Sequence, residues 1–219
     1  MSSVFGRAIK LGFWEKLNPC LGIEKFTEHS RDRFLNGDEL GRLFKALEIE
    51  QNQTATDYII ISLLTGARKS NVLSMRWSEI DFKEVTWKIP GTKTKNGDIQ
   101  TIPLNEPALE VLASRRKETS SFFVFPGSGR TGHFQEPKKA WARVCKTAGI
   151  EGAHIHDLRR TMGSWQAKTG ASIPIIGKSL GHRSQKTTEV YARLDLDPVR
   201  TSMDKAVTAM LEAANGGKK

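Results

Sequence analysis

The sequence predicts a mostly α-helical fold carrying one small antiparallel β-sheet, and three observations predict it. Apolar residues recur at spacings of three and four, as in Leu40, Leu43, Phe44 and Leu47, the pattern of helices that bury one face. Two central segments, 77–89 and 99–104, read better as strands, with Lys95-Asn96-Gly97 forming a turn between them. Apolar residues make up 38% of the chain and charged residues 26%, as in globular proteins with a normal core. Its 219 residues suffice for one large domain, or one domain plus a fragment of another.

Residues 4–14 read as the last turns of an amphipathic helix, closed by Pro19. Its apolar side chains need a packing partner that no earlier helix supplies. We therefore read residues 1–30 as a helix end and linker left from an N-terminal domain. Residues 24–33 are polar and charged, as suits a boundary. The main domain, 31–214, opens on a helix capped by Asn36 or Asp38. Residues 56–64 are ambiguous: their β-branched content suggests a strand, while their length and Gly66 allow a buried helix. Helices are expected at 105–117, 136–147, 157–168, 173–179, 184–192 and 198–213, and Phe123 to Gly127 is a short apolar piece ending in a turn. In the last helix Pro198 suits the first turn, and Val199, Met203, Ala206, Val207 and Met210 form a stripe. Residues 215–219 read as a disordered tail.

Lys and Arg outnumber Asp and Glu by 34 to 24, a net charge of +10 that favours a polyanionic partner without choosing among nucleic acid, ribosome and acidic membrane. No run of 18 apolar residues is present to span a membrane, and residues 1–30 show no apolar core followed by a small-residue cleavage site, so secretion is not expected. Cys20 and Cys145 match no metal-ligand spacing and read as free thiols in a reducing compartment.

Chemistry concentrates in a few places. Tyr191, one of only two tyrosines, lies nine residues after His182, which itself follows an expected turn at Gly181. A phenol attacks phosphorus only when donors stabilise the developing charge. Tyr58, beside three isoleucines, reads as core. Arg68 and Arg159 suit the non-bridging oxygens of a phosphodiester, because a guanidinium makes parallel charge-assisted bonds at any relevant pH. His156 sits three residues before Arg159, on the same helical face, and Arg160 points away. His156 and His182 can donate hydrogen bonds or relay protons near neutrality. His154 and His156 lack the further ligands that a zinc site needs. Lys95 in the turn can protonate a leaving alkoxide, and Lys93 competes for that role.

With these residues in place, the chain resembles the catalytic domain of the tyrosine recombinase family, in particular the phage-type integrases. The matching segments are Thr65-Gly66-Ala67-Arg68, the Lys95 hairpin closing in Ile102-Pro103-Leu104, His156-Asp157-Leu158-Arg159-Arg160, Leu180-Gly181-His182 and Tyr191. The likeness runs from about residue 31 to about residue 200. It implies a helix at 53–65, the catalytic lysine at Lys95 rather than Lys93, and the end of a core-binding domain plus linker at 1–30. It further implies two transesterifications without metal or other cofactor, with Tyr191 as nucleophile. Arg68, Arg159 and His182 would stabilise the phosphorane, Lys95 would protonate the leaving 5′-oxygen, and His156 would assist. The implied partners are double-stranded DNA at a specific crossover site and further copies in a synaptic tetramer. The isolated domain is expected to be monomeric, and the setting a bacterial cytoplasm at the nucleoid. Asn71 departs from the pattern, since relatives often carry Glu or Asp three residues after the first arginine. Two other readings stay open: a DNA-relaxing enzyme like type IB topoisomerases, and a catalytically silent prophage remnant that only binds DNA.

Overall fold

The computed structural model describes residues 1–24, 26, 33–94, 97–182, 187, 188, 191, 201, 203–208 and 210. The chain divides into two compact units, Met1–Asp32 and Arg33–Lys219. In the first, α1 (Ser2–Lys10) buries none of its residues. It stops four residues short of Trp14 and without help from Pro19. The amide of Phe13 donates to the Ala8 carbonyl and that of Gly12 to Ile9, a Schellman closure that ends the helix itself. Phe5 and Trp14 then meet edge to face at 5.1 Å.

The second unit begins with α2 (Gly37–Glu48), whose cap is Asn36 rather than Asp38. The Asn36 side chain accepts from the amide of Glu39, and Glu39 reaches back to the amide of Asn36, a capping box. Leu43 and Leu47 are buried as the spacing predicts, but Phe44 stays 40% exposed. The ambiguous segment is α3 (Gln53–Thr65), a helix buried nearly all round. Its apolar residues show no single face because α3 packs against α5, α6 and α7 at once.

After α4 (Lys69–Leu73), the stretch 77–89 is not one strand. It forms a 3-10 turn (Trp77–Glu79), then β1 (Ile80–Asp81) and β2 (Thr86–Ile89). The Asp81 carboxylate accepts from the amides of Lys83 and Glu84, so an aspartate turn reverses the chain where no glycine marks it. With β3 (Gln100–Pro103) these strands make an antiparallel sheet in sequence order, Trp87 standing opposite both Ile80 and Ile102. Helices α5 (Glu106–Glu118), α6 (Pro137–Ala148), α7 (Ile155–Lys168) and α8 (Ile173–Leu180) follow. Helix α7 starts two residues earlier than the sequence suggests, because Asp157 accepts from the His154 amide at 2.8 Å. The described residues of the last two expected helices (187, 188, 191, 201, 203–208 and 210) are helical, whereas Asp197-Pro198 and residues 215–219 lie outside the described ones.

One polar network is locked inside this core. The Arg115 guanidinium, 4% exposed, donates to Asp57 at 2.8 Å and to the Val124 carbonyl at 2.8 Å, and stacks on Phe125. Gln53 donates to the other oxygen of Asp57. Removing one partner of such a pair strands the other charge without water, at a cost of about 3–5 kcal/mol. Arg115→Met should therefore lower unfolding stability in urea by that amount. A loss below about 1 kcal/mol would mean that Asp57 is neutralised or solvated by another route.

Candidate active site

Two helix C-termini converge on two arginines. Helix α3 ends at Gly66 and α8 at Gly181, both left-handed (φ 59° and 65°), a conformation that favours glycine. Arg159, on α7, donates to the Gly66 carbonyl at 2.7 Å and to the Leu180 carbonyl at 2.5 Å. Arg68 leaves the Gly66 turn as the residue before α4 and donates to the Gly181 carbonyl at 2.7 Å, with a longer 3.5 Å contact to Gln100. Each guanidinium thus spends two of its five donors on these partners, leaving the others for a ligand. Among the described residues neither arginine pairs with a carboxylate, although Arg159 is only 5% exposed.

His182 follows Gly181 directly. Its amide donates to the Gly177 carbonyl, and its Nδ1 lies 2.9 Å from the Thr188 hydroxyl. The His182 and Tyr191 rings are parallel within 8°, their centroids 6.2 Å apart. Tyr191 is 5% exposed and packs with Ile176 and Leu180. His156 stands on α7 one turn before Arg159, exposed along one side. Tyr58, by contrast, is fully buried in the main core.

The electrostatics follow from burial first and from this crowding of cations second. Burial, then Arg68, lowers Arg159 to about 10, so it remains charged at neutral pH. Partial burial, then Arg159, Arg68 and His156, pushes His182 down to about 4. His156 is lowered too, first by desolvation of its inner side and then by Arg159 and Arg160. Both shifts favour the neutral imidazole at pH 7. Burial raises Tyr191 while Arg159 and Arg160 pull the other way. The arrangement can hold an oxyanion on two guanidiniums with a neutral imidazole and a protonated phenol alongside.

Lys95 lies outside the described residues. Lys93 does not: its ammonium is ion-paired with Glu79 and donates to the Ser74 carbonyl at 2.5 Å. No group of three His, Cys, Asp or Glu side chains among the described residues is placed to hold a metal.

The phage integrase family profile matches residues 33–197. The chain belongs to this family. It is 30% identical to prophage integrase IntF of Escherichia coli K12 over 189 residues, which cover 84% of this chain and 40% of that protein. To the integrase of Salmonella phage P22 it is 28% identical over 195 residues, covering 83% and 49%. The chain therefore spans less than half the length of these two integrases. Among solved structures, the Tn1549 transposon integrase in complex with a circular intermediate DNA matches with a TM-score of 0.72 at 18% identity, over 93% of this chain and 76% of that one. The catalytic domain of bacteriophage HP1 integrase matches with a TM-score of 0.59 at 21% identity, over 78% and 93%. The mostly helical fold with its small sheet is thus that of the tyrosine recombinase catalytic domain.

Against the family pattern, Asn71 is 2% exposed, and its amide nitrogen finds no hydrogen-bond partner among the described residues. Three positions carry no signal in the sequence. Gln100 reaches from β3 to Arg68 and donates to the Ser179 carbonyl at 3.3 Å; Thr188 orients His182; Gly163 underlies Tyr191. All three act through contacts between segments far apart in the chain or across a turn, and none is a charged or nucleophilic residue type that draws notice.

In the DNA-free integrase, the His182 imidazole should titrate near 4 in an NMR pH series rather than at the ordinary 6.5. A base depressed in the folded state binds its proton first in the unfolded state, so this residue makes stability fall as pH drops from about 6.5 to about 4. Titration of His182 at the ordinary value would contradict the cationic crowding described above.

Proposed function

We propose that this integrase-family protein is a site-specific DNA recombinase that cuts and rejoins duplex strands through a 3′-phosphotyrosyl link to Tyr191. The observation that carries the reading is the buried Arg159 beside Arg68, which pairs with no carboxylate among the described residues. A buried charge without a counter-ion is costly, and a scissile phosphate supplies the missing anion. The two guanidiniums and His182 would hold its non-bridging oxygens as charge grows on them. The phenol oxygen of Tyr191 bonds to phosphorus as the bond to the 5′-oxygen breaks. Neutral His182 and His156 are suited to take up or relay the phenol proton, and Lys95 would protonate the departing 5′-oxygen. A 5′-hydroxyl from a partner duplex then reverses the attack. The ester conserves the bond energy, so the cycle consumes no nucleotide.

The Lys93–Glu79 ion pair supports Lys95 over Lys93 as the acid, because Lys93 is already engaged. Both assignments can be read in one assay, using the protein in its full encoded form and a suicide duplex selected by binding from a randomised pool. Tyr191→Phe should form no covalent adduct, and adducts at the wild-type level would remove Tyr191 as nucleophile. Lys95→Ala should cleave ordinary DNA slowly, by about 100-fold to 10,000-fold, yet bind it nearly as well, since one phosphate contact among many changes affinity modestly. A 5′-bridging sulfur, whose thiolate leaves without a proton, should restore most of the rate. An equal defect on both substrates would leave Lys95 as a groove contact only.

We also infer that the last helix docks on a neighbouring copy when a synaptic tetramer assembles on DNA. Met203, Val207 and Met210 are all exposed in this chain, which supports a partner outside it. Deleting residues 198–219 should abolish tetramers on DNA while leaving the melting temperature of the free monomer unchanged. A lower melting temperature instead would assign the stripe to the chain's own core.

A further inference from the structure

We propose that Gly163 is the seat of the Tyr191 ring: the missing side chain at this point of α7 sets where the phenol rests and how it faces Arg159 and His182. The inference deepens the nucleophile reading given above and rests on it for its catalytic consequence. A methyl group at position 163 would stand 2.6 Å from Cζ of Tyr191, 2.7 Å from its Cε1 and 3.0 Å from Cδ1 of Leu180. The first of these atoms carries the reacting oxygen.

Nothing in α7 itself calls for glycine there. Gly163 lies in the middle of a 14-residue helix, and its φ is not among the positive ones. In such a place alanine is the better residue, because glycine forfeits backbone entropy on folding. The requirement comes from outside the helix, from an aromatic ring pressed onto bare backbone. Gly163 is one turn beyond Arg159, so the same face of α7 presents the buried guanidinium and then the seat. Ile176, Leu180 and the partly buried Met162 complete the surroundings of the ring, and His182 lies parallel to it. Gly163 touches no reacting atom of DNA. It is a positioning residue that acts through Tyr191.

The chain's tyrosine content makes the test direct. Of its two tyrosines, Tyr58 is fully buried and pushed up to about 12, so the earlier phenolate absorbance step reports Tyr191. Gly163→Ala should push the ring off its seat and toward water. The Tyr191 step should then fall toward the ordinary 10, and tetranitromethane should nitrate Tyr191 faster while Tyr58 stays protected. Melting gives a second reading. Gly163→Ala should melt lower than wild type, but in a Tyr191→Ala background the same change should leave the melting temperature equal or higher. If Gly163→Ala alone does not fold, a double variant that folds as well as Tyr191→Ala supports the seat. A double variant that also fails overturns it, as does an equal drop in both backgrounds or an unmoved phenol step.

The catalytic arm uses the suicide duplex. Displacing the nucleophile by about 1 Å should slow adduct formation roughly a hundredfold, with DNA affinity changed by less than about threefold. Undiminished or faster adduct formation with a shifted phenol step would show a resting place rather than a positioning one, and would overturn the catalytic half of the proposal. If wild type itself forms no adduct, the nucleophile reading falls, and the titration and melting cycle still decide the seat.

Discussion

Arg115 and Arg159 are withdrawn from water to nearly the same degree, and they solve the problem of a buried charge in opposite ways. Arg115 takes a carboxylate, Asp57, which completes it and makes it part of the scaffold. Among the described residues Arg159 takes only backbone carbonyls, at the ends of α3 and α8. The C-terminal carbonyls of a helix lack partners within the helix and carry the negative end of its dipole. They can therefore tolerate a cation without cancelling it. Both helix ends are turned inward by left-handed glycines, so their carbonyls face the same guanidinium. The proposed function depends on this partial compensation, since a full counter-ion would leave no charge for the proposed phosphate to satisfy.

Burial, seconded by the positive charge at the imidazoles and opposed by it at the phenol, sets the protonation of the neighbouring groups. With no anion bound, His182 and His156 are held neutral and Tyr191 keeps its proton. On the proposed function, a phosphodiester on Arg68 and Arg159 would oppose their field at the imidazoles, because an adjacent negative charge favours the protonated forms. An imidazole made more basic in this way would be better able to take a proton from the phenol. Thr188, holding His182 Nδ1, leaves the other ring nitrogen to face that task or the phosphate.

The sequence made the amphipathic helices legible, since their apolar residues keep one spacing over several turns. Helix α3 escaped that rule because a helix packed on several sides has no apolar face to count, and only the family likeness placed it. The turn within 77–89 was hidden because Asp81 makes it with its own carboxylate and because Val85, not a glycine, takes the positive φ of 54°. In the site, residue types drew attention to Arg68, His156, Arg159, His182 and Tyr191, and the structure brings all five into one electrostatic cluster. Gln100, Thr188 and Gly163 were invisible for a physical reason: an amide, a hydroxyl and an absent side chain acquire meaning only from what the fold places against them. The choice between Lys93 and Lys95 needed the likeness for the same reason, since two lysines two residues apart differ only in what surrounds them.

The hairpin that carries the second of those lysines is itself held with unusual firmness at its neck. A side chain at Gly91 would collide with the Gly97 carbonyl at 1.9 Å, so the two arms touch backbone to backbone. The Thr94 hydroxyl lies 3.0 Å from the Gly91 carbonyl and 2.8 Å from that of Asp98. Lys93 ties one arm to Glu79, whose other oxygen accepts from the Trp87 indole at 3.2 Å, and Gln100 ties the other arm to Arg68 and the end of α8. The fold thus separates two anchorages: helix ends fix Arg68 and Arg159, while the sheet fixes the base of the segment that carries Lys95, the residue proposed above as the acid.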